Sequence, residues 1–238
     1  DGRPSVGVVM KPGVIVVTSR SERIIPLLLI LLSLVPAIAG TARLAELATH
    51  AEVTEANARF FASPLPVVLH VMAVIPYSVL GAFQFAPAFR RGHRRWHRTA
   101  GAALVGMGAV AALTGLWMAQ TYPWPAGDGV AVYIERIVFG AAMLGSLVLA
   151  VLALLRHDYS AHGDWMTRAY AIGLGAGTQV LTHLPYFILV GKPGETGRGV
   201  MMGAGWVINL IVAEWIIQRR RERRSLMNAS PRVTASPA

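Results

Sequence analysis

Residues 69–101 read LHVMAVIPYSVLGAFQFAPAFRRGHRRWHRTAG, and this stretch decides the class of protein. Its first half is an apolar run that carries one histidine, His70, and that breaks at Pro87 into a dense basic segment. A run of this kind is long enough to cross a bilayer, and arginines that flank such runs gather at the cytosolic side of membranes. The stretch therefore predicts a membrane helix followed by a cytosolic loop.

The composition of the whole chain also indicates an integral membrane protein. Of its 238 residues, 54% are hydrophobic and only 14% are charged, which is too apolar for a soluble domain of this size. Uninterrupted apolar runs suit helices, since the strands of a membrane barrel are shorter and alternate. Six runs approach or reach the length of a span, namely 24–40, 65–86, 101–119, 137–155, 169–191 and 200–217. We predict an all-α, polytopic transmembrane helical bundle with six spans and a core of four helices.

The runs divide the chain into three parts. We expect a flexible cytosolic lead at 1–23, a transmembrane helical domain at 24–218, and a basic, disordered cytosolic tail at 219–238. The first apolar run has an alternative interpretation as a secretory signal, because Ala37, Ile38 and Ala39 precede Gly40 in a small-residue cleavage pattern. Cleavage there would leave five spans.

The distribution of lysine and arginine predicts the orientation. With alternating spans, 17 of these residues fall on one side and five on the other, the five being Arg43, Arg59, Arg136, Lys192 and Arg198. We expect the basic side, with both termini, to be cytosolic and to contact anionic lipid headgroups. A nucleic-acid partner is not expected, since the basic residues are divided among loop ends. The chain has no cysteine, which excludes disulfides, thiolate-bound clusters and thioether-attached haem.

Two histidines within the spans are predicted at matching depth. His183 is 15 residues from Arg168 and His70 is 17 residues from Pro87, so each lies about 22–25 Å from the cytosolic end of its helix. One interpretation is a b-type haem whose iron is bound by both imidazoles. The others are hydrogen bonding to neighbouring helices, proton transfer, or contact with a substrate.

A second histidine pair is expected at the cytosolic face. His97 and His162 begin two different spans, and each lies beside a tryptophan and several arginines. As a second haem-ligand pair they would have Arg98 and Arg168 as partners for haem propionates. The alternative is that they are solvated or bind lipid phosphates.

Two motifs resemble a known family. The first is formed by His70, Gly81, Phe83, Gln84, Phe85, Pro87, Arg90, Arg91, His97, Arg98 and Gly101, and the second by His162, Trp165, Met166, Arg168 and Tyr170. They resemble the bacterial predicted membrane proteins of domain of unknown function 2306, over about residues 65–190. The resemblance implies a bacterial cytoplasmic-membrane protein of unknown activity. His183 departs from the family pattern, which weakens its pairing with His70.

Three classes of function are compatible with these features. The first is a haem-binding electron carrier or a quinone-linked oxidoreductase component with a redox partner. The second is a transporter or proton pathway that uses polar residues in the spans, namely His70, Gln179, His183 and Glu214. The third is a non-catalytic membrane protein whose basic loops bind lipid or a partner. No charged residue is expected near mid-membrane in the second to fifth spans, which disfavours an ion-coupled carrier.

Overall fold

The computed structural model describes residues 20–86, 90 and 92–229, with side chains from Ile24 to Leu226. The first 19 residues of the predicted lead, the end of the predicted tail, and the loop residues Pro87 and Arg91 lie outside the described residues.

The described residues are helical and contain no strand. The helices are α1 (Arg20–Ala48), α2 (Ala58–Ala62), α3 (Pro64–Gln84), α4 (Arg94–Thr121), α5 (Val130–Leu155), α6 (Tyr159–Gly173), α7 (Gly175–Leu189) and α8 (Glu195–Ala229). Five of these helices are long and apolar enough to cross a membrane: α1, α3, α4, α5 and α8. The prediction of an all-α polytopic bundle is thereby confirmed.

The fifth predicted span, 169–191, is present as two helices that meet at Leu174. The Leu174 amide donates to the Tyr170 carbonyl over 3.0 Å, and the Thr178 amide donates to the Leu174 carbonyl over 3.4 Å, so α7 continues directly from α6. Glycines surround the junction, and glycine lowers helix stability. A Cβ atom added at Gly177 would collide with the Leu32 carbonyl oxygen of α1. The junction at Leu174 therefore lies in a glycine-rich segment that packs closely against a neighbouring helix.

Both ends of the bundle differ from the prediction. Helix α1 already begins at Arg20, inside the predicted lead, and α8 continues through the basic run to Ala229. Residues 219–229, the first part of the predicted tail, are thus helical in the structure. Arginine and glutamate are good helix formers, and the arginines of this segment bind α6. The Arg221 guanidinium, for example, donates two hydrogen bonds to Asp164 Oδ2, over 3.0 and 2.9 Å.

The loops gather at two faces. What we call the basic face holds Arg90, Arg94, Arg95, Arg156 and the arginines of 219–224. What we call the opposite face holds the loops at 49–57, 122–129 and 190–194, where Tyr122 bonds to the Ser63 carbonyl and Arg198 binds Asp128. At the basic face, Arg168 and Glu214 join α6 to α8 with two hydrogen bonds, Nε to Oε1 over 2.5 Å and Nη2 to Oε2 over 2.9 Å.

Replacing Glu214 with glutamine is expected to lower the free energy of unfolding by about 1 kcal/mol, because the pair is bidentate but partly exposed. The Arg168 and Glu214 side chains are 19% and 42% exposed. Glu222→Gln, at an exposed position of the same helix, is the control and should leave stability unchanged. Chemical unfolding in detergent measures both variants. Equal stability of the two would show that the pair contributes nothing.

Candidate functional site

A cavity of about 540 Å³ lies inside the bundle. It is bounded by α1, α3, α4, α5 and α8, and by the consecutive helices α6 and α7. The cavity exists because several helices carry small residues at this level. They include Ala37, Gly40, Ala111, Gly115 and Gly140. Its volume falls within the range of about 300–1000 Å³ that is typical of small-molecule sites. Most lining residues are apolar, and the polar ones are few enough to orient a ligand.

His70 is the histidine that lines this cavity. Its Nδ1 atom is 2.9 Å from the Ala111 carbonyl oxygen and 3.1 Å from Thr114 Oγ1. Because a carbonyl oxygen only accepts hydrogen bonds, this network assigns the proton to Nδ1 and leaves the lone pair on Nε2. Gly115 lies beside the ring, and a Cβ atom there would make an ordinary van der Waals contact with His70 Cε1, at 3.5 Å. The arrangement fixes both the tautomer and the orientation of the imidazole.

The cavity reaches the opposite face at a mouth formed by Arg59, Phe60, Tyr122, Trp124 and Arg136. The Arg59 guanidinium lies 4.7 Å from the centre of the Phe60 ring. The Tyr122 hydroxyl donates to the Ser63 carbonyl, and burial raises the pKa of Tyr122, so this hydroxyl remains protonated at neutral pH. The mouth thus combines aromatic rings, a neutral hydroxyl and two guanidinium groups.

The charged residues that line this mouth are Arg59 and Arg136. The Asp128 side chain is 1% exposed and binds both Arg136, over 2.7 Å, and Arg198. Within the described part of the chain Arg59 forms no ion pair, and its guanidinium donates to the Pro123 carbonyl over 3.4 Å. Partial burial, followed by repulsion from Arg136, lowers the pKa of Arg59. An anionic ligand group at the mouth would therefore be stabilised.

The structure separates the two histidines that were predicted to share a ligand. His183 is not among the residues that line the cavity. Its Nδ1 atom is 2.7 Å from the Gln179 carbonyl oxygen one turn earlier in α7. Of the predicted pair, only His70 faces the internal space.

The second predicted pair, His97 and His162, lies at the basic face. His97 and His162 are close enough to interact electrostatically. His162 Nδ1 is 2.9 Å from the Ala150 carbonyl oxygen, whereas His97 Nδ1 is buried and has no hydrogen-bond partner among the described residues.

The two arginines that were predicted to bind haem propionates, Arg98 and Arg168, do not line the cavity. Arg98 is exposed on α4, and Arg168 is occupied by Glu214 and stacks on Trp165, with its guanidinium 4.5 Å from the ring centre. The described residues also contain no group of three or more His, Cys, Asp or Glu side chains that could hold a metal ion.

Sequence reasoning missed the residues of the mouth. Arg59, Asp128 and Arg136 come from three separate segments, and nothing in their spacing shows that they meet. The available signal was weak: arginines are scarce on the opposite side, and Asp128 is the one acid in the loop that joins α4 to α5.

These features define a polytopic helical membrane protein with an internal cavity that carries a histidine. The chain belongs to the predicted membrane protein family DUF2306, whose model matches residues 67–217. The match covers the region of the family motifs and extends into α8. No curated protein and no solved structure matches the chain.

Proposed function

We propose that the protein binds a b-type haem in the internal cavity, with His70 as an iron ligand, and carries electrons in the bacterial cytoplasmic membrane. The observation that carries this proposal is the fixed orientation of His70 in a large, mainly apolar cavity. Histidines that bind metals usually donate their other ring N–H to a carbonyl or carboxylate, as His70 does to Ala111. Its Nε2 atom is then the nitrogen available to iron.

The remaining lining suits the other parts of a haem. Aliphatic and aromatic residues favour the porphyrin, and Arg59 and Arg136 at the mouth suit the propionates. This assignment replaces Arg98 and Arg168, which do not line the cavity. Methionine thioethers are known second ligands of haem iron, and three line this cavity, namely Met118, Met143 and Met202. We therefore assign the second ligand to a methionine rather than to His183.

We place the basic face in the cytosol. The arginine-rich loop before α4 and the end of α8 carry most of the positive charge, and membrane proteins retain such segments on the cytosolic side. Haem would then lie nearer the outer surface. His70 is six residues after Pro64, or about 9 Å below the start of α3.

An absorption spectrum of the purified protein tests the proposal. Protein from haem-replete cells is expected to show a Soret band, with sharp α and β bands after addition of dithionite. A pyridine extract should give the spectrum of haem b at about one haem per chain. A colourless preparation would overturn the proposal.

Replacing Arg59 with glutamine is expected to weaken haem binding about tenfold, because a charged hydrogen bond to a propionate is lost. Titration of haem into ligand-free protein measures the affinity. Arg98→Gln is the matched control, since Arg98 is exposed and lies outside the cavity lining. Equal affinities for the two variants would remove Arg59 from the site.

A further inference from the structure

Three uncharged side chains in the bundle carry buried polar atoms that have no hydrogen-bond partner among the described residues. The atoms are the Tyr77 hydroxyl, both polar atoms of the Gln84 amide, and His97 Nδ1. Each such group is costly inside a membrane protein, because hydrocarbon offers it no hydrogen-bond partner. Polar groups of this kind are generally completed by internal water or retained for a function.

Two of these side chains, Tyr77 and Gln84, lie on the same face of α3 as His70, which lines the cavity. His70, Tyr77 and Gln84 are spaced by seven residues, which is close to two helical turns, so they point to the same side. The 14 residues from His70 to Gln84 correspond to about 21 Å along the helix. The face therefore leads from the cavity to the basic end of α3.

Tyr77 packs against the inner end of the cavity. Ser78, Met143 and Gly173 line the cavity there. Tyr77 is 1% exposed, and a Cβ atom added at Gly173 would lie 2.7 Å from its Cε1 atom. The Tyr170 hydroxyl donates to the Ser78 carbonyl over 2.6 Å, and the Tyr77 and Tyr170 ring centres are 5.8 Å apart. The Tyr77 ring and the Tyr170 hydroxyl thus lie next to residues that line the cavity.

Further polar side chains lie between Tyr170 and the basic face. The Tyr170 ring packs on Phe85, the residue after Gln84, with ring centres 4.7 Å apart. Gln84 lies beside α4, since a Cβ atom at Gly101 would be 3.7 Å from its Oε1 atom. His97 is one turn before Gly101 and interacts electrostatically with His162. We call these five side chains the polar line: Tyr77, Tyr170, Gln84, His97 and His162.

We infer that the polar line is a proton pathway between the basic face and the cavity. A proton enters from the aqueous phase at the basic face, beside His97 and His162. Internal waters and the tyrosine hydroxyls each accept a proton on one side and release one on the other, and the Gln84 amide holds the waters by hydrogen bonds, until one proton appears in the cavity near His70. No electron moves and no covalent bond other than those to hydrogen changes. The pathway does not depend on what occupies the cavity.

Internal water must complete this pathway. Neighbouring groups on α3 are about 10 Å apart along the axis, whereas a hydrogen bond spans about 3 Å. The unpartnered atoms of Tyr77, Gln84 and His97 provide the polar contacts that internal waters require. Apart from His70 at its end, this route uses none of the residues predicted for a pathway. Gln179 bonds to the Met202 carbonyl, and Glu214 binds Arg168.

Proton flux into liposomes tests the inference with ligand-free protein. Vesicles that contain the protein and a pH-sensitive dye receive an external acid pulse in the presence of potassium and valinomycin. We expect dye acidification to be at least about tenfold faster than in protein-free vesicles. Tyr77→Phe and Gln84→Leu should each return the rate close to that of protein-free vesicles.

The controls retain residue type but lie off the line. Gln120→Leu changes an exposed glutamine at the other end of α4, and Tyr159→Phe changes an exposed tyrosine at the basic face. Both should conduct as the unmodified protein does, and all four variants must elute from size-exclusion chromatography as the unmodified protein does. A flux equal to that of protein-free vesicles, or one that Tyr77→Phe and Gln84→Leu leave unchanged, would overturn the inference. Because no haem is present, neither result bears on haem binding.

Discussion

Replacing His70 with alanine is expected to abolish haem binding, with complete loss of the Soret band in purified protein. The imidazole would supply the iron ligand, and the apolar lining alone cannot hold the cofactor in place. Added imidazole should restore part of the Soret band, because it can enter the space that the side chain leaves. A purely structural role for His70 would not be rescued in this way.

His183→Ala is the matched control for this experiment. His183 bonds to the Gln179 carbonyl of its own helix and does not line the cavity, so its loss should leave the Soret band intact. The opposite outcome, in which His183→Ala loses haem and His70→Ala keeps it, would place the site elsewhere in the bundle.

Replacing Asp128 with asparagine is expected to lower the free energy of unfolding by about 3 kcal/mol, since removing one partner leaves other charges partly buried and unpaired. The Asp128 side chain is 1% exposed and holds Arg136 of α5 and Arg198 of α8. Unfolding in mixed detergent micelles measures the loss. It should be accompanied by weaker haem binding, because Arg136 lines the cavity mouth.

Asp158→Asn is a suitable control for the change of charge. Asp158 caps α6 by accepting a hydrogen bond from the Ala161 amide over 2.9 Å, and asparagine caps helices about equally well. Its stability should therefore be nearly that of the unmodified protein. If Asp128→Asn were equally harmless, the cluster would not hold the mouth together.

The helices could be predicted from sequence because each apolar run reports directly on burial in lipid. The break at Leu174 could not, since the Gly173, Gly175 and Gly177 series is compatible with either a continuous or a broken helix. The contact of Gly177 with Leu32 of α1 depends on two segments far apart in sequence. The helical end of α8 was missed for a similar reason, because Arg221 is held by Asp164 of α6.

A site residue could be predicted only where its polarity differed from that of its neighbours in the sequence. His70 is a histidine in an apolar run, and it does line the cavity. Matching depth along two helices was a poor guide to pairing, because it says nothing about the direction in which each side chain points. Arg59, Asp128 and Tyr77 acquire their roles from tertiary contacts that no local pattern encodes.

The most direct test of a haem site at His70 is an experimental structure of the protein purified from haem-replete membranes. We expect planar density in the internal cavity, continuous with His70 Nε2 and directed toward Arg59 and Arg136 at the mouth. An empty cavity, or a haem bound through His183 instead, would contradict the account.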